Sequence, residues 1–176
     1  PLAAVAGTPP EGCIRGSSRH RSARSPLQVY TATGHDATTG LSCGSRVATD
    51  AVGPSAYGTT AGVVSALGLA PAECDPDSEL ATLLIRLQRE LFVVGAELAT
   101  APENRHKLTP GTTSVTPEMV AALEPIIDDI TGRFEAPTEF VLPGENRVSA
   151  ALDVARTTAR RAERECGSAT GSGWLG

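Results

Sequence analysis

The stretch SELATLLIRLQRELFVVGAELA (78–99) predicts the strongest helix of the chain and, through it, the class of fold. Ser78 is a suitable N-cap, and Glu79 places a negative charge in the first turn, where the helix dipole favours it. Apolar side chains then recur with a period of about 3.6 residues, as in a helix that packs one face against a core. They are Leu80, Leu83, Leu84, Leu87, Leu91, Val94 and Leu98.

Composition and a second apolar segment extend this prediction to a bundle. Residues 55–70 place Val63, Val64 and Leu67 at helical spacing, although two early glycines weaken the helix preference. Hydrophobic residues make up 40% of the 176 residues but aromatic ones only 3%, so the core must consist of Leu, Val, Ile and Ala. Sheet sandwiches use more aromatic and β-branched residues. The predicted fold class is therefore all-α, an up-and-down helical bundle.

A third helix is expected after Thr116, where a threonine cap, a proline and an acid occur in succession. Pro125 is expected to kink this helix. Its apolar stripe contains Met119, Val120, Leu123, Ile126, Ile127 and Ile130.

The last predicted helix runs from Asn146 to Cys166, with Gly167 as its stop. One helical domain is therefore expected over 28–166, followed by a disordered Gly-rich tail over 167–176. Residues 1–27 include the basic run IRGSSRHRSARSP and lack hydrophobic periodicity, so a disordered tail is expected there. A transit peptide is the alternative, because it is also rich in Arg and Ser.

Charge and cysteine usage restrict the function classes. The formal net charge of −5 argues against nucleic-acid binding. No apolar run approaches the roughly 20 residues that a membrane span requires. The four cysteines contain no CxxC pair and the three histidines are scattered, so we expect no protein-built metal site, reduced thiols and a cytoplasmic location. These residues are Cys13, Cys43, Cys74, Cys166, His20, His35 and His106.

The segment VYTATGHDATTGLSCGSRV (29–47) is dense in Thr and Gly, which predicts an ordered loop with little regular structure. Gly34, Gly40 and Gly44 permit positive φ angles. Backbone amides and threonine hydroxyls in such a loop suit a phosphate group. A plain surface loop explains the same composition, and both interpretations stay open.

The segment ARTTARRAER (155–164) places four arginines and one glutamate on the last predicted helix. At about 100° per residue, Arg156, Arg160 and Glu163 lie within about 60° of each other, while Arg161 points about 100° away from Arg160. Guanidinium groups bind phosphate through paired hydrogen bonds and stay charged when partly desolvated. The cluster is therefore a candidate polyphosphate site. A solvated basic face with surface ion pairs is the alternative.

Four segments together resemble the PduO-type ATP:cob(I)alamin adenosyltransferases, especially their actinobacterial branch. They are VYTATGHDATTGL, AYG, QRELFVVGAELATAPENRHKL and FVLPGENRVSAALDVARTTARRAER, in this order. The resemblance covers about 29–165, and its most specific motif is R-x-x-x-R-R-x-E-R. It implies a five-helix bundle that forms a homotrimer with active sites between subunits. It also implies transfer of the 5′-deoxyadenosyl group of ATP to cob(I)alamin, with ATP, Mg²⁺ and cobalamin as ligands.

The same resemblance assigns roles to residues. Arg156, Arg160 and Glu163 would be catalytic: Arg156 would contact the nucleotide, Arg160 would take the triphosphate with Arg161, and Glu163 would hold an arginine and the nucleotide. Phe140 would lie at the corrin face and help to exclude the lower axial ligand of cobalt. The nucleotide loop would use Thr31, Thr33, Gly34, Thr38 and Thr39.

Several positions depart from the family pattern at the nucleotide end. They are Ala32, His35, Ala37, Thr49, Ala61 and Gly62, where Arg, Asp, Gly, Lys, Asp and Glu are usual. The last helix of the family, with its Asn-Arg-Leu-Ser-Asp stretch, is also expected to be missing. The alternative function is therefore an impaired or inactive member that only binds corrinoid or nucleotide.

Overall fold

The computed structural model describes residues 34–175, and this part of the chain is a helical bundle with one small hairpin. The all-α prediction is thereby confirmed at the level of fold class. The described chain contains no helix with the length and apolar character that crossing a membrane requires. The elements are β1 (Thr38–Gly40), β2 (Arg46–Ala48), α1 (Val52–Ala72), α2 (Glu79–Leu98), a 3₁₀ helix (Pro102–Lys107), α3 (Pro117–Ala121), α4 (Glu124–Thr131) and α5 (Arg147–Gly171).

Helix α2 forms as its sequence predicts. The Ser78 hydroxyl accepts a hydrogen bond from the Ala81 N–H at 3.2 Å, which satisfies one of the free donors of the first turn. Leu84 and Leu98 are only 3% and 2% exposed. The remaining members of the leucine stripe are all half-buried, so the predicted apolar face is the face that packs.

Helix α1 is the central helix, and it packs against both α2 and α5. Near its start, Ala56 joins a buried cluster with Leu98 and Ala169. Near its end, Ala70 joins a second cluster with Leu84 and Ala151. Both neighbours therefore run antiparallel to α1. Its sequence, VGPSAYGTTAGVVSALGLAPA, has no charged residue, and its small side chains let the neighbours approach closely. Tertiary packing thus outweighs the weak helix preference of its glycines.

Helix α5 begins where predicted but ends later. The Asn146 side chain accepts from the Ser149 N–H at 2.9 Å, and the Ser149 hydroxyl accepts from the Asn146 N–H at 3.2 Å, forming a capping box. The stop predicted at Gly167 is wrong, because the helix continues to Gly171. Ala169 is fully buried in the cluster at the start of α1. This packing stabilises the added turn.

The prediction of disorder from residue 167 is also wrong for the part that the structure describes. Trp174 packs beside the cluster of Ala56 and Leu98, and its Nε1–H donates to the Leu98 carbonyl at 3.0 Å. The Trp174 carbonyl in turn accepts from Nη2 of Arg105 at 2.9 Å. A Cβ atom at Gly53 would lie 2.3 Å from the indole ring, so only glycine fits beneath it. The predicted tail over 1–27 lies outside the described residues.

The third predicted helix is split rather than kinked. Thr116 caps α3 by accepting from the Met119 N–H at 3.4 Å, and Pro125 lies in the first turn of a separate helix, α4. A proline there lacks only an N–H that would be unpaired in any case. The apolar stripe is only partly covered, since Val120 and Ile127 are 58% and 57% exposed.

The three cysteines among the described residues are in two states. Cys74 and Cys166 are free thiols, whereas Cys43 is disulfide-bonded. The prediction of reduced thiols throughout is therefore wrong at Cys43, because spacing along a chain does not report proximity in space. Burial raises the pKa of the Cys166 thiol, an effect that a hydrogen bond with Thr60 partly offsets.

Candidate functional site

The Thr- and Gly-rich segment forms an antiparallel hairpin, which corrects the expectation of little regular structure. Strands β1 and β2 pair Thr38 with Ala48 and Thr39 with Val47. Gly34 has a φ of 94°, so it uses the freedom predicted for it. Thr31 and Thr33 lie outside the described residues.

Internal hydrogen bonds fix the start of β1. The Asp36 carboxylate accepts from the Thr38 hydroxyl at 2.8 Å and from the Thr38 N–H at 3.1 Å. The hydrogen bond from the Thr38 hydroxyl lowers the pKa of Asp36 most, and the one from the Thr38 N–H lowers it further. The nearby positive charge of Arg46 adds to the effect. Nε of Arg46 also donates to the Thr38 hydroxyl at 3.1 Å. Thr38 therefore holds the loop together, while the Thr39 hydroxyl makes no hydrogen bond within the described chain.

Ala37 has a left-handed backbone conformation, with a φ of 57°. Its carbonyl accepts from both the N–H and the hydroxyl of Thr49, at 2.9 and 3.1 Å, so the loop holds this geometry. In this left-handed conformation, a residue with a Cβ atom raises the free energy of the folded state by about 1–2 kcal/mol. Ala37→Gly is expected to raise the free energy of unfolding by about 0.5–1 kcal/mol, after allowance for the entropy of glycine. Urea denaturation followed by circular dichroism measures this change.

The matched control is Ala48→Gly, in the paired strand β2. That position is extended, so glycine should destabilise it by about 0.5–1 kcal/mol. Equal losses of stability in the two variants would contradict the strain at Ala37.

The turn of the hairpin is anchored on the segment that follows α2, which includes the 3₁₀ helix. The Ser42 N–H donates to the Ala99 carbonyl at 2.9 Å. The Ser45 hydroxyl donates to Glu103 at 2.9 Å and accepts from the Asn104 side chain at 3.1 Å. These three contacts fix the hairpin against the bundle. Sequence reasoning missed them, because the side-chain pairs are 58 and 59 residues apart.

The arginine cluster lies on the solvent side of α5. The residues of this helix that pack inward are Ala151, Ala155, Ala162 and Ala169. At about 100° per residue, Arg156 and Arg160 project from the side opposite this alanine seam, and Glu163 lies on the flank next to them. All three, and Arg161 as well, are exposed. The structure thus keeps the predicted residues together on one helix and directs them away from α1.

One member of this cluster has an internal partner. Nε of Arg156 donates to Oδ1 of Asp153 at 2.9 Å, and Nη2 lies 2.7 Å from the same oxygen in an ion pair. Within the described chain, the side chains of Arg160, Arg161 and Glu163 form no ion pair or hydrogen bond. Glu163 therefore holds no arginine here. Sequence reasoning missed Asp153, although its i,i+3 spacing from Arg156 was a usable signal.

The hairpin and the arginine helix reach the same end of the bundle. The Ser55 hydroxyl, near the start of α1, donates to Glu165 at 2.9 Å. Since β2 ends only four residues before α1 begins, the hairpin lies at the end of the bundle where Arg164 and Glu165 are found. The arginine side nevertheless points outward. A ligand held there requires further contacts from outside this helix.

Phe140 lies in the loop between α4 and α5 and is completely exposed, at 106%. Its neighbours Val141 and Leu142 are 69% and 86% exposed. Three consecutive exposed apolar residues are unusual on a free surface and are typical of a contact with a ligand or another chain.

A cavity of about 430 Å³ between α2 and α4 contains none of the predicted site residues. Its lining is Glu79, Thr82, Leu83, Arg86, Pro125, Ile126, Asp129 and Ile130.

Comparison with known proteins defines the class. The family model for cobalamin adenosyltransferase matches residues 29–173, so the chain belongs to the cobalamin adenosyltransferase family. A corrinoid adenosyltransferase of Citrobacter freundii is 41% identical over 137 residues, which cover 78% of this chain and 76% of the relative. One from Mycobacterium tuberculosis is 38% identical over 142 residues, covering 81% and 72%.

Solved structures give the same result. A variant PduO-type ATP:corrinoid adenosyltransferase from Lactobacillus reuteri, complexed with cobalamin and ATP, superposes with a TM-score of 0.71 at 26% identity. The alignment covers 81% of this chain and 78% of that one. A second variant of this enzyme, complexed with ATP, has a TM-score of 0.70 at 28% identity, with the same coverage. The resemblance predicted from the sequence is confirmed.

Proposed function

We propose that this chain transfers the 5′-deoxyadenosyl group of ATP to cob(I)alamin and releases triphosphate. The observation that carries the proposal is the outward arginine side of α5, in a chain whose family match extends over 29–173. In the reaction, the cobalt(I) electron pair attacks the 5′ carbon. A Co–C bond forms, the C–O bond breaks, and the triphosphate leaves with the electron pair.

The arginines act on the leaving group. Negative charge develops on the triphosphate as the C–O bond breaks, and positioned cations stabilise it most at that moment. Arg156 and Arg160 take this role, with Arg161 as a further triphosphate contact. Glu163 has no partner within the described chain, so it is free to orient the nucleotide or an arginine of another subunit.

Mg²⁺ enters with the nucleotide in this proposal. Within the described chain, no group of three or more His, Cys, Asp or Glu residues has the arrangement of a metal site. Mg²⁺ commonly keeps most of its ligands as water and substrate phosphate oxygens, so such a group is not required. The metal would supply charge neutralisation of the phosphates.

The hairpin supplies the nucleotide end of the site. Gly34 and Thr38 shape the loop, and the unengaged Thr39 hydroxyl is available to a phosphate or ribose oxygen. We expect Thr31 and Thr33, which lie outside the described residues, to contribute to the same binding segment. Phe140 covers the corrin from the lower axial side, which fits its complete exposure in the single chain.

We infer that the working assembly is a homotrimer with the site between neighbouring subunits. The support is geometric: the arginine side of α5 points away from α1, the helix into which its own hairpin leads. A hairpin from a neighbouring copy would complete the site. Use of ATP also favours a cytoplasmic location.

The test is adenosylation of chemically reduced cobalamin by Mg-ATP, followed through loss of the cob(I)alamin absorption band. Conversion above protein-free and ATP-free controls is the expected result. A folded protein that binds ATP or corrinoid in calorimetry but gives no conversion would contradict the proposal. That outcome would establish the alternative, a family member that binds without turnover.

A further inference from the structure

We propose that Asp153 is a positioning residue, which turns the Arg156 guanidinium so that its outer edge faces the triphosphate. This inference rests on the proposed function and deepens it. Asp153 lies among the arginines, and its negative charge opposes their positive charge. The reaction itself does not require this carboxylate.

The contact with Asp153 determines which edge of the Arg156 guanidinium stays free. Nε of Arg156 donates to Oδ1 of Asp153 at 2.9 Å, and Nη2 lies 2.7 Å from the same oxygen. A guanidinium has five N–H donors in a planar fork. With the Nε–Nη2 edge occupied, the Nη1–Nη2 edge keeps one parallel pair of N–H groups. That pair matches two oxygens of a phosphate.

At about 100° per residue, Asp153 lies about 60° from Arg156 and on the side of α5 opposite the alanine seam that packs on α1. The Asp153 side chain is 28% exposed, whereas that of Arg156 is 59% exposed. The carboxylate is therefore the more covered of the two groups, and the guanidinium keeps an edge open to solvent.

Fixing Arg156 before the ligand arrives lowers the entropic cost of binding. A long arginine side chain loses rotamer freedom when it grips a ligand, and a preformed orientation removes part of that loss. Arg160 and Arg161 lack such a partner within the described chain. Asp153 also attracts Arg156 away from phosphate, so the proposal is that orientation outweighs this competition.

The experiment compares steady-state kinetics of the full chain carrying Asp153→Ala or Asp153→Asn with the unmodified chain. Asp153→Ala is expected to raise the KM for ATP about 3–10-fold and to leave the KM for cob(I)alamin within about twofold. Asp153→Asn keeps one acceptor oxygen and should recover at least half of the loss. Glu90→Ala is the control, because it removes a similar arginine pair, Arg86 Nε to Glu90 Oε1 at 2.8 Å, from α2.

The outcomes distinguish failure of the positioning role of Asp153 from failure of the proposed function. An ATP KM that is unchanged or lower in Asp153→Ala, or no recovery in Asp153→Asn, overturns the positioning role while unmodified activity upholds the proposed function. If the unmodified chain gives no turnover, the proposed function fails, and the same comparison is made with the Kd for ATP from calorimetry. Absence of ATP binding by a folded chain overturns both proposals.

Discussion

Trp174→Ala is expected to lower the free energy of unfolding by about 3 kcal/mol, near the lower end of the range for removing a large aromatic side chain from a packed site. The indole packs against the cluster of Ala56 and Leu98 and lies directly on Gly53. Its removal would leave a void over Gly53 and take the donor from the Leu98 carbonyl. Urea denaturation followed by far-ultraviolet circular dichroism measures the loss, because the variant retains no tryptophan for fluorescence.

Trp174→Phe separates the two parts of this effect. Phenylalanine keeps most of the apolar contact but cannot donate to the Leu98 carbonyl, so we expect a loss of about 1–1.5 kcal/mol from the hydrogen bond, plus a small packing loss. Gly53→Ala should destabilise the protein as well, since its Cβ would overlap the ring. A change below about 0.5 kcal/mol in Trp174→Ala would show that the C-terminal turn does not close the bundle.

The helix starts were predictable because their determinants are local. Ser78, Thr116 and Asn146 each accept a hydrogen bond from an N–H three residues later, and both partners lie in the same short stretch. The end of α5 was not predictable in this way. Gly167 is a normal stop signal, but burial of Ala169 against α1 overrides it. The α1 residues that pack against Ala169 are distant in the sequence, so no residue near Gly167 indicates that the helix continues.

The same distinction applies to the candidate site. The spacing of Arg156, Arg160 and Glu163 was sufficient to place them on one exposed side of a helix. The hairpin was missed, because its strands are only three residues long and depend on docking to α2. Its anchors include Ser45 and Glu103, 58 residues apart. Linear distance of this size gives no basis for pairing two polar residues.

Arg160→Ala is expected to lower kcat/KM for ATP about 10²–10³-fold, equivalent to about 3–4 kcal/mol of transition-state stabilisation. Its side chain has no ion pair or hydrogen bond within the described chain, so removing it leaves no unpaired carboxylate there. The free energy of unfolding should therefore change by less than about 0.5 kcal/mol. Arg89→Ala, at an exposed arginine of α2, is the matched control and should retain full activity. Equal activities in the two variants would contradict the role of Arg160.

Mixing two impaired chains tests whether Arg160 acts on a nucleotide held by a neighbouring subunit. Arg160→Ala keeps an intact hairpin, and Thr39→Ala keeps an intact arginine helix. In a cyclic trimer assembled at random from equal amounts, about a quarter of the interfaces join an intact hairpin to an intact helix. Co-refolded mixtures should therefore regain about a quarter of the unmodified activity. If hairpin and helix of the same chain formed the site, the mixture would show only the residual activity of the separate variants, because every chain would carry one defect.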